Sequence, residues 1–197
     1  MSYTITVSAT PNPNALKFIL NEQVIQDGNL TFRNQDDADG IPLVQALFAL
    51  SHIKEIFLND NYITVTQDGG ADWSKLQNSI QALILENLPG HNPAITLRSA
   101  QKSAASGQGE TDPQRARIEQ LLDQYIRPYL QMDGGDVQVV SLNGNVLGIS
   151  YQGACGGCPG AAFGTLRAIE NVLREHYDQD IMVELARGGG GGGCGCH

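Results

Sequence analysis

A chain of 197 residues has room for one or two domains, each long enough to bury a core without cross-links, and two is the better expectation. Its formal net charge of -9 argues against partners that demand a basic surface, namely nucleic acid and anionic membrane faces, and leaves protein partners or small ligands. The first twenty residues lack the basic start and apolar run of a secretory signal, and no span approaches a membrane-crossing length. A cytoplasmic, bacterial setting is therefore expected, or an organellar matrix if a transit peptide has been removed. In such a reducing compartment, cysteines grouped as CxxC and CxC point to metal or redox chemistry rather than to structural disulfides.

From Tyr3 to Thr66 the short runs YTITV, ALKFIL, NLTF, EIFL and YITVTQ are rich in apolar and β-branched residues, and turn-forming pieces such as TPNPN, QDGN and NDN separate them. They predict strands. Between them, Leu43, Leu47 and Leu50 share one helical face, and Asp72 is placed to cap a second helix over 73–88 with Leu76, Ile80, Leu83 and Ile84 inward. The result is a small α+β domain over residues 1–98.

The stretch SAQKSAASGQGETD is poor in apolar residues and reads as a flexible linker, 99–111. Asp112 and Pro113 then form a cap and first turn, and Ile118, Leu121, Leu122, Tyr125 and Leu130 recur at helical spacing, predicting a helix to about Met132 with a kink at Pro128. After the turn DGGD come two strands, VQVVSL and VLGISY, joined by a hairpin at Asn143 to Asn145. The loop GACGGC follows, then a helix from Pro159 to about Tyr177 with Leu166, Ile169 and Leu173 as its core stripe, and a last strand, IMVELA. This second domain, 112–187, has the order α-β-β-α-β, and the whole chain is of the α+β class. Residues 188–197, GGGGGGCGCH after Arg187, cannot fold alone, because consecutive glycines lose much backbone entropy on ordering.

The chemistry centres on Cys155 and Cys158. A helix opening at Pro159 puts partial positive charge beside both, favouring the thiolate that binds metal or attacks a disulfide. Three readings stay open on spacing alone. One is a thiol-disulfide oxidoreductase, although the motif lies late in the chain, with only one helix and one strand to follow. Another is a structural zinc site in an interaction module, completed by Cys194, Cys196 or His197 on a glycine tether that would be costly to order. The third is an iron-sulfur cluster, which normally takes four sulfur ligands; one CxxC supplies two, and a second copy of the chain would supply the others.

IRPYLQMDGGDVQVV, the strand-loop segment LGISYQGACGGCPGAAFGTL and the following RAIENVL resemble the NifU-like C-terminal (Nfu) domain of iron-sulfur cluster biogenesis. TPNPNALKF, YITVTQ and the helix start at Asp72 and Trp73 are similar to the Nfu N-terminal domain. The resemblance implies a non-enzymatic scaffold or carrier that holds a [4Fe-4S] or [2Fe-2S] cluster between the CxxC motifs of a homodimer and delivers it to apo-proteins alongside other assembly factors. The family's ligands map onto Cys155 and Cys158. Asp133, Gly134, Gly135 and Asp136 are expected to make a structural turn, TPNPN another, and Arg115, Arg117 and Arg127 a solvated helix face. The tail departs from the family. Its Cys194-Gly195-Cys196 is similar to the end of A-type iron-sulfur carriers over three residues, and Cys194, Cys196 and His197 are candidate accessory ligands.

Overall fold

In the computed structural model, which describes residues 3–95, 113–157 and 159–186, the β-branched runs of the first half pair into a five-stranded antiparallel sheet. Its strands are β1 (Ile5–Ala9), β2 (Ala15–Leu20), β3 (Asn29–Phe32), β4 (Ile53–Asn59) and β5 (Tyr62–Gln67), in the order β1-β2-β5-β4-β3. Phe18, Leu20, Ile56, Leu58, Ile63 and Val65 pack in one core with α1 (Pro42–Phe48) and α2 (Trp73–Asn87), which supply Leu43, Val44, Leu47, Leu76, Ile80 and Ile84. Each such large side chain, fully buried, stabilises the fold by roughly 1.5–3 kcal/mol. Asp72 caps α2 as its position suggested, accepting from the Ser74 amide at 2.9 Å.

The second half forms its own core. The single helix expected up to Met132 is two helices, α3 (Pro113–Tyr125) and α4 (Arg127–Met132), separated at Ile126, whose φ of -116° departs from the ideal helical value. Pro128 lacks an amide hydrogen, so it fits in the first turn of a new helix and not inside an old one. β6 (Gly135–Asn143) and β7 (Val146–Gly153) run antiparallel about a two-residue turn at Gly144 and Asn145, where Gly144 has φ 57°. β7 then pairs in parallel with β8 (Met182–Leu185), and α5 (Pro159–His176) makes the crossover that a parallel pair requires. Ile118, Leu122, Val137, Val139, Leu147, Ile149, Ile169 and Leu173 fill the space between helices and sheet. The expected linker, 99–111, and tail, 188–197, lie outside the described residues.

The two halves touch. On β5, Ile63 and Val65 belong to the first core, yet the alternate residues Tyr62, Thr64 and Thr66 are buried as well. Thr64 is covered by the second domain, whose Gly134 carbonyl accepts from its hydroxyl at 2.7 Å. The polar side of this sheet is thus an interdomain face, and the cysteine loop lies against it.

Candidate functional site

Cys155 sits in a single turn of 3-10 helix, Ala154–Gly157, between the end of β7 and the start of α5. It is half-buried, and it lines a cleft with Pro11 and Asn12 from the first domain and Leu130, Asp133, Ala154 and Thr165 from the second. Cys158, the other expected ligand, and Cys194, Cys196 and His197, the accessory candidates, lie outside the described residues. Among the described residues no three His, Cys, Asp or Glu side chains gather as a metal-binding group.

The glycines of DGGD shape this cleft, each for a different reason. Gly134 ends α4 with φ 79°, a conformation a side chain disfavours. Gly135 leaves room for the thiol, because a Cβ on it would lie 2.6 Å from Cys155 Sγ and 2.8 Å from the Gln152 carbonyl. The turn expected from the sequence is therefore also one wall of the cysteine site.

Asp136, which follows, is 2% exposed. Its Oδ1 accepts from the Val137 amide at 2.7 Å and faces Arg127 Nε at 3.3 Å, and its Oδ2 accepts from Asn29 Nδ2 at 2.7 Å. Burial still pushes its carboxyl above the usual range, with the Val137 amide and the guanidinium opposing that shift. Arg127 also pairs with Glu119 and Asp123. It is thus clamped beside the turn and not the solvated cation expected from the sequence. Arg115 is committed too, donating to the Val139 carbonyl at 2.7 Å.

The first domain holds the approach to the thiol from the other side. TPNPN is a tight turn in which Asn12 Oδ1 accepts from the Asn14 amide at 2.9 Å and Trp73 Nε1 donates to the Pro13 carbonyl at 2.9 Å. Its Asn12 is 2% exposed and donates through Nδ2 to the Ala154 carbonyl at 3.0 Å. On β4, Glu55 Oε1 accepts from the Gly153 amide at 3.0 Å, while its Oε2 pairs with Arg33 at 3.1 Å. Lys17 donates to the Gln131 carbonyl at 2.8 Å and lies 4.0 Å above the Tyr62 ring. Burial pushes the hydroxyls of Tyr62 and Tyr151 far up, reinforced by negative charge at Asp136 and then Cys155 for Tyr62 and at Cys155 for Tyr151, so both stay neutral.

Asn12, Lys17, Glu55 and Thr64 escaped the sequence reading as site residues because polar groups in turns and on alternate strand positions ordinarily face water. The one available signal was TPNPN itself, where two asparagines and two prolines specify a rigid turn in front of β2.

The fold and the site define a two-domain α+β protein with a glycine-walled cysteine loop where the domains meet. Comparison with known proteins sharpens that class. Residues 5–90 match the family model described as scaffold protein Nfu/NifU N terminal, and residues 118–184 match the NifU-like domain. The chain belongs to the Nfu/NifU family of scaffold proteins. It is 33% identical over 171 residues to a Homo sapiens protein named NFU1 iron-sulfur cluster scaffold homolog, mitochondrial, covering 86% of this chain and 66% of that one. NifU-like protein 5, mitochondrial, of Arabidopsis thaliana is 30% identical over 180 residues, 90% of this chain and 65% of its own length. The chain thus spans just under two thirds of these relatives. A solution structure of a NifU-like protein from Saccharomyces cerevisiae is also similar, with 21% identity and a TM-score of 0.43, over 49% of this chain and 86% of that one.

Proposed function

We propose that this protein is an iron-sulfur cluster scaffold or carrier, in which Cys155 and Cys158 from each of two copies hold one cluster, [4Fe-4S] or [2Fe-2S], for delivery to apo-proteins. The observation that carries the reading is the placement of Cys155: half-buried, in a loop whose flanking Gly135 leaves room for sulfur, in a domain matching the NifU-like model. The cluster is cargo. Four thiolates satisfy it, and two CxxC motifs supply that number without any other ligand type. No proton transfer or nucleophilic attack on an organic substrate is required, so the protein need not be an enzyme. Domain limits of 1–98 and 112–187, joined by 99–111, belong to the same proposal. The relatives named as mitochondrial favour the organellar-matrix setting over the bacterial cytoplasm. No described helix is long and apolar enough to cross a membrane.

The test is anaerobic reconstitution with ferrous iron and sulfide, followed by iron and acid-labile sulfide assays on wild type, Cys155→Ser and Cys158→Ser. Wild type is expected to retain both elements with a visible charge-transfer absorption, and each variant to lose them. Bound metal without sulfide in wild type would overturn the scaffold reading.

A further inference from the structure

The backbone leading into Cys155 is gripped at two successive residues by the other domain. Glu55 of β4 accepts from the Gly153 amide, and Asn12 of the TPNPN turn donates to the Ala154 carbonyl. Both grips come from side chains that are themselves fixed: Glu55 by Arg33, and Asn12 by the Asn14 amide and by burial. Thr64 holds the facing strand in the same way, through the Gly134 carbonyl, which also accepts from the Ala154 amide at 3.2 Å. The first domain therefore supplies two hydrogen bonds to the segment immediately before the thiol.

We propose that Asn12 and Glu55 are positioning residues of the cysteine site, an interdomain clasp that pre-orders Gly153 to Cys155 and so slows the loss of a cluster held there. The proposal rests on the scaffold reading above. Its physical basis is entropic: a loop already fixed by partners outside it loses less conformational freedom when its thiolate takes up a metal, and the bound state is favoured by the difference. A clasp that merely covered the thiol would have the opposite effect, since releasing it would leave retention unchanged or improved.

The two residues allow a selective test in the full chain. Asn12→Asp keeps the oxygen that accepts from the Asn14 amide, so the turn survives, but at neutral pH it has no hydrogen for the Ala154 carbonyl. Glu55→Ala removes the acceptor for Gly153, and Glu55→Gln restores an acceptor without the charge. After anaerobic reconstitution, the rate of cluster loss to an iron chelator and the visible circular dichroism of the bound cluster are compared at matched thermal midpoints. Loss of one such hydrogen bond is expected to speed release on the order of fivefold in Asn12→Asp and in Glu55→Ala, and to change the dichroic spectrum. Glu55→Gln is expected to return most of the wild-type rate. Release at the wild-type rate with an unchanged spectrum in both disruptive variants would overturn the clasp while leaving the scaffold reading intact. A wild-type protein that takes up no sulfide would overturn the scaffold reading and the clasp together.

Discussion

At the scale of single residues, the site depends on atoms that are missing as much as on those present. Gly153 has φ 63°, and a Cβ there would lie 2.5 Å from the Gly134 carbonyl and 2.9 Å from a Phe57 ring carbon. Gly153→Ala is therefore expected to cost at least about 1–3 kcal/mol, read as a lower urea midpoint; an unchanged midpoint would mean that the turn relaxes freely. Gly135→Ala adds a chemical readout, since its methyl group would press on Cys155 Sγ as well as on the Gln152 carbonyl. Its thermal midpoint is expected to fall and iron and sulfide uptake to fall with it; uptake at the wild-type level would count against a role for Gly135 in the site. The cysteine spacing was legible from the sequence because ligand chemistry requires a particular atom. The need for glycine at 135 was legible only as a turn, because the clash it avoids is with a sulfur twenty residues away.

At the scale of elements, hydrophobic periodicity placed strands and helices well. Leu76, Ile80 and Ile84 on α2, and Ile169 and Leu173 on α5, lie in the cores where their spacing put them. Ile169→Ala is expected to destabilise the second domain by about 2–5 kcal/mol, measured by urea unfolding, because the site is fully buried next to Leu173. Periodicity does not report a second partner that covers the other face of a strand. On β5 the alternate residues Tyr62, Thr64 and Thr66 lie opposite Ile63 and Val65 of the first core, yet all six residues of the strand are buried. Nothing local distinguishes a threonine that faces solvent from one that meets a carbonyl of another domain. The break between α3 and α4 escaped for a related reason: Pro128 shows that the helix cannot continue unchanged, but whether it kinks or restarts depends on what Ile126 packs against.

At the scale of the whole molecule, the interdomain face carries buried carboxylates, which makes it sensitive to pH. Burial, opposed by Arg33 and the Gly153 amide, raises the Glu55 carboxyl above its ordinary value, and the Asp136 carboxyl is raised by burial as well. A carboxyl raised in the folded state stabilises it most below the unfolded value, and that contribution is lost as pH rises through the folded one. Wild type should therefore lose stability relative to Glu55→Gln as pH climbs from the ordinary carboxylate range toward neutrality, with the urea midpoint as readout; parallel curves would mean that Glu55 does not titrate in the folded protein.

In the sequence, Cys194 and Cys196 of the tail stand out in an otherwise cysteine-poor chain. If these thiols serve as accessory ligands by raising the local ligand concentration, changing both to Ser slows cluster acquisition or transfer, and unchanged rates would make them incidental.

The central claim is that each chain supplies half of a cluster site, and native mass spectrometry after anaerobic reconstitution tests it most directly. Iron, sulfide and chain number are read from one species, for the full chain and for a chain ending at Arg187. The account predicts one sulfide-containing cluster per two chains in both forms. A cluster carried by a single full-length chain and absent after truncation would contradict it, by showing that the tail rather than a second copy completes the site.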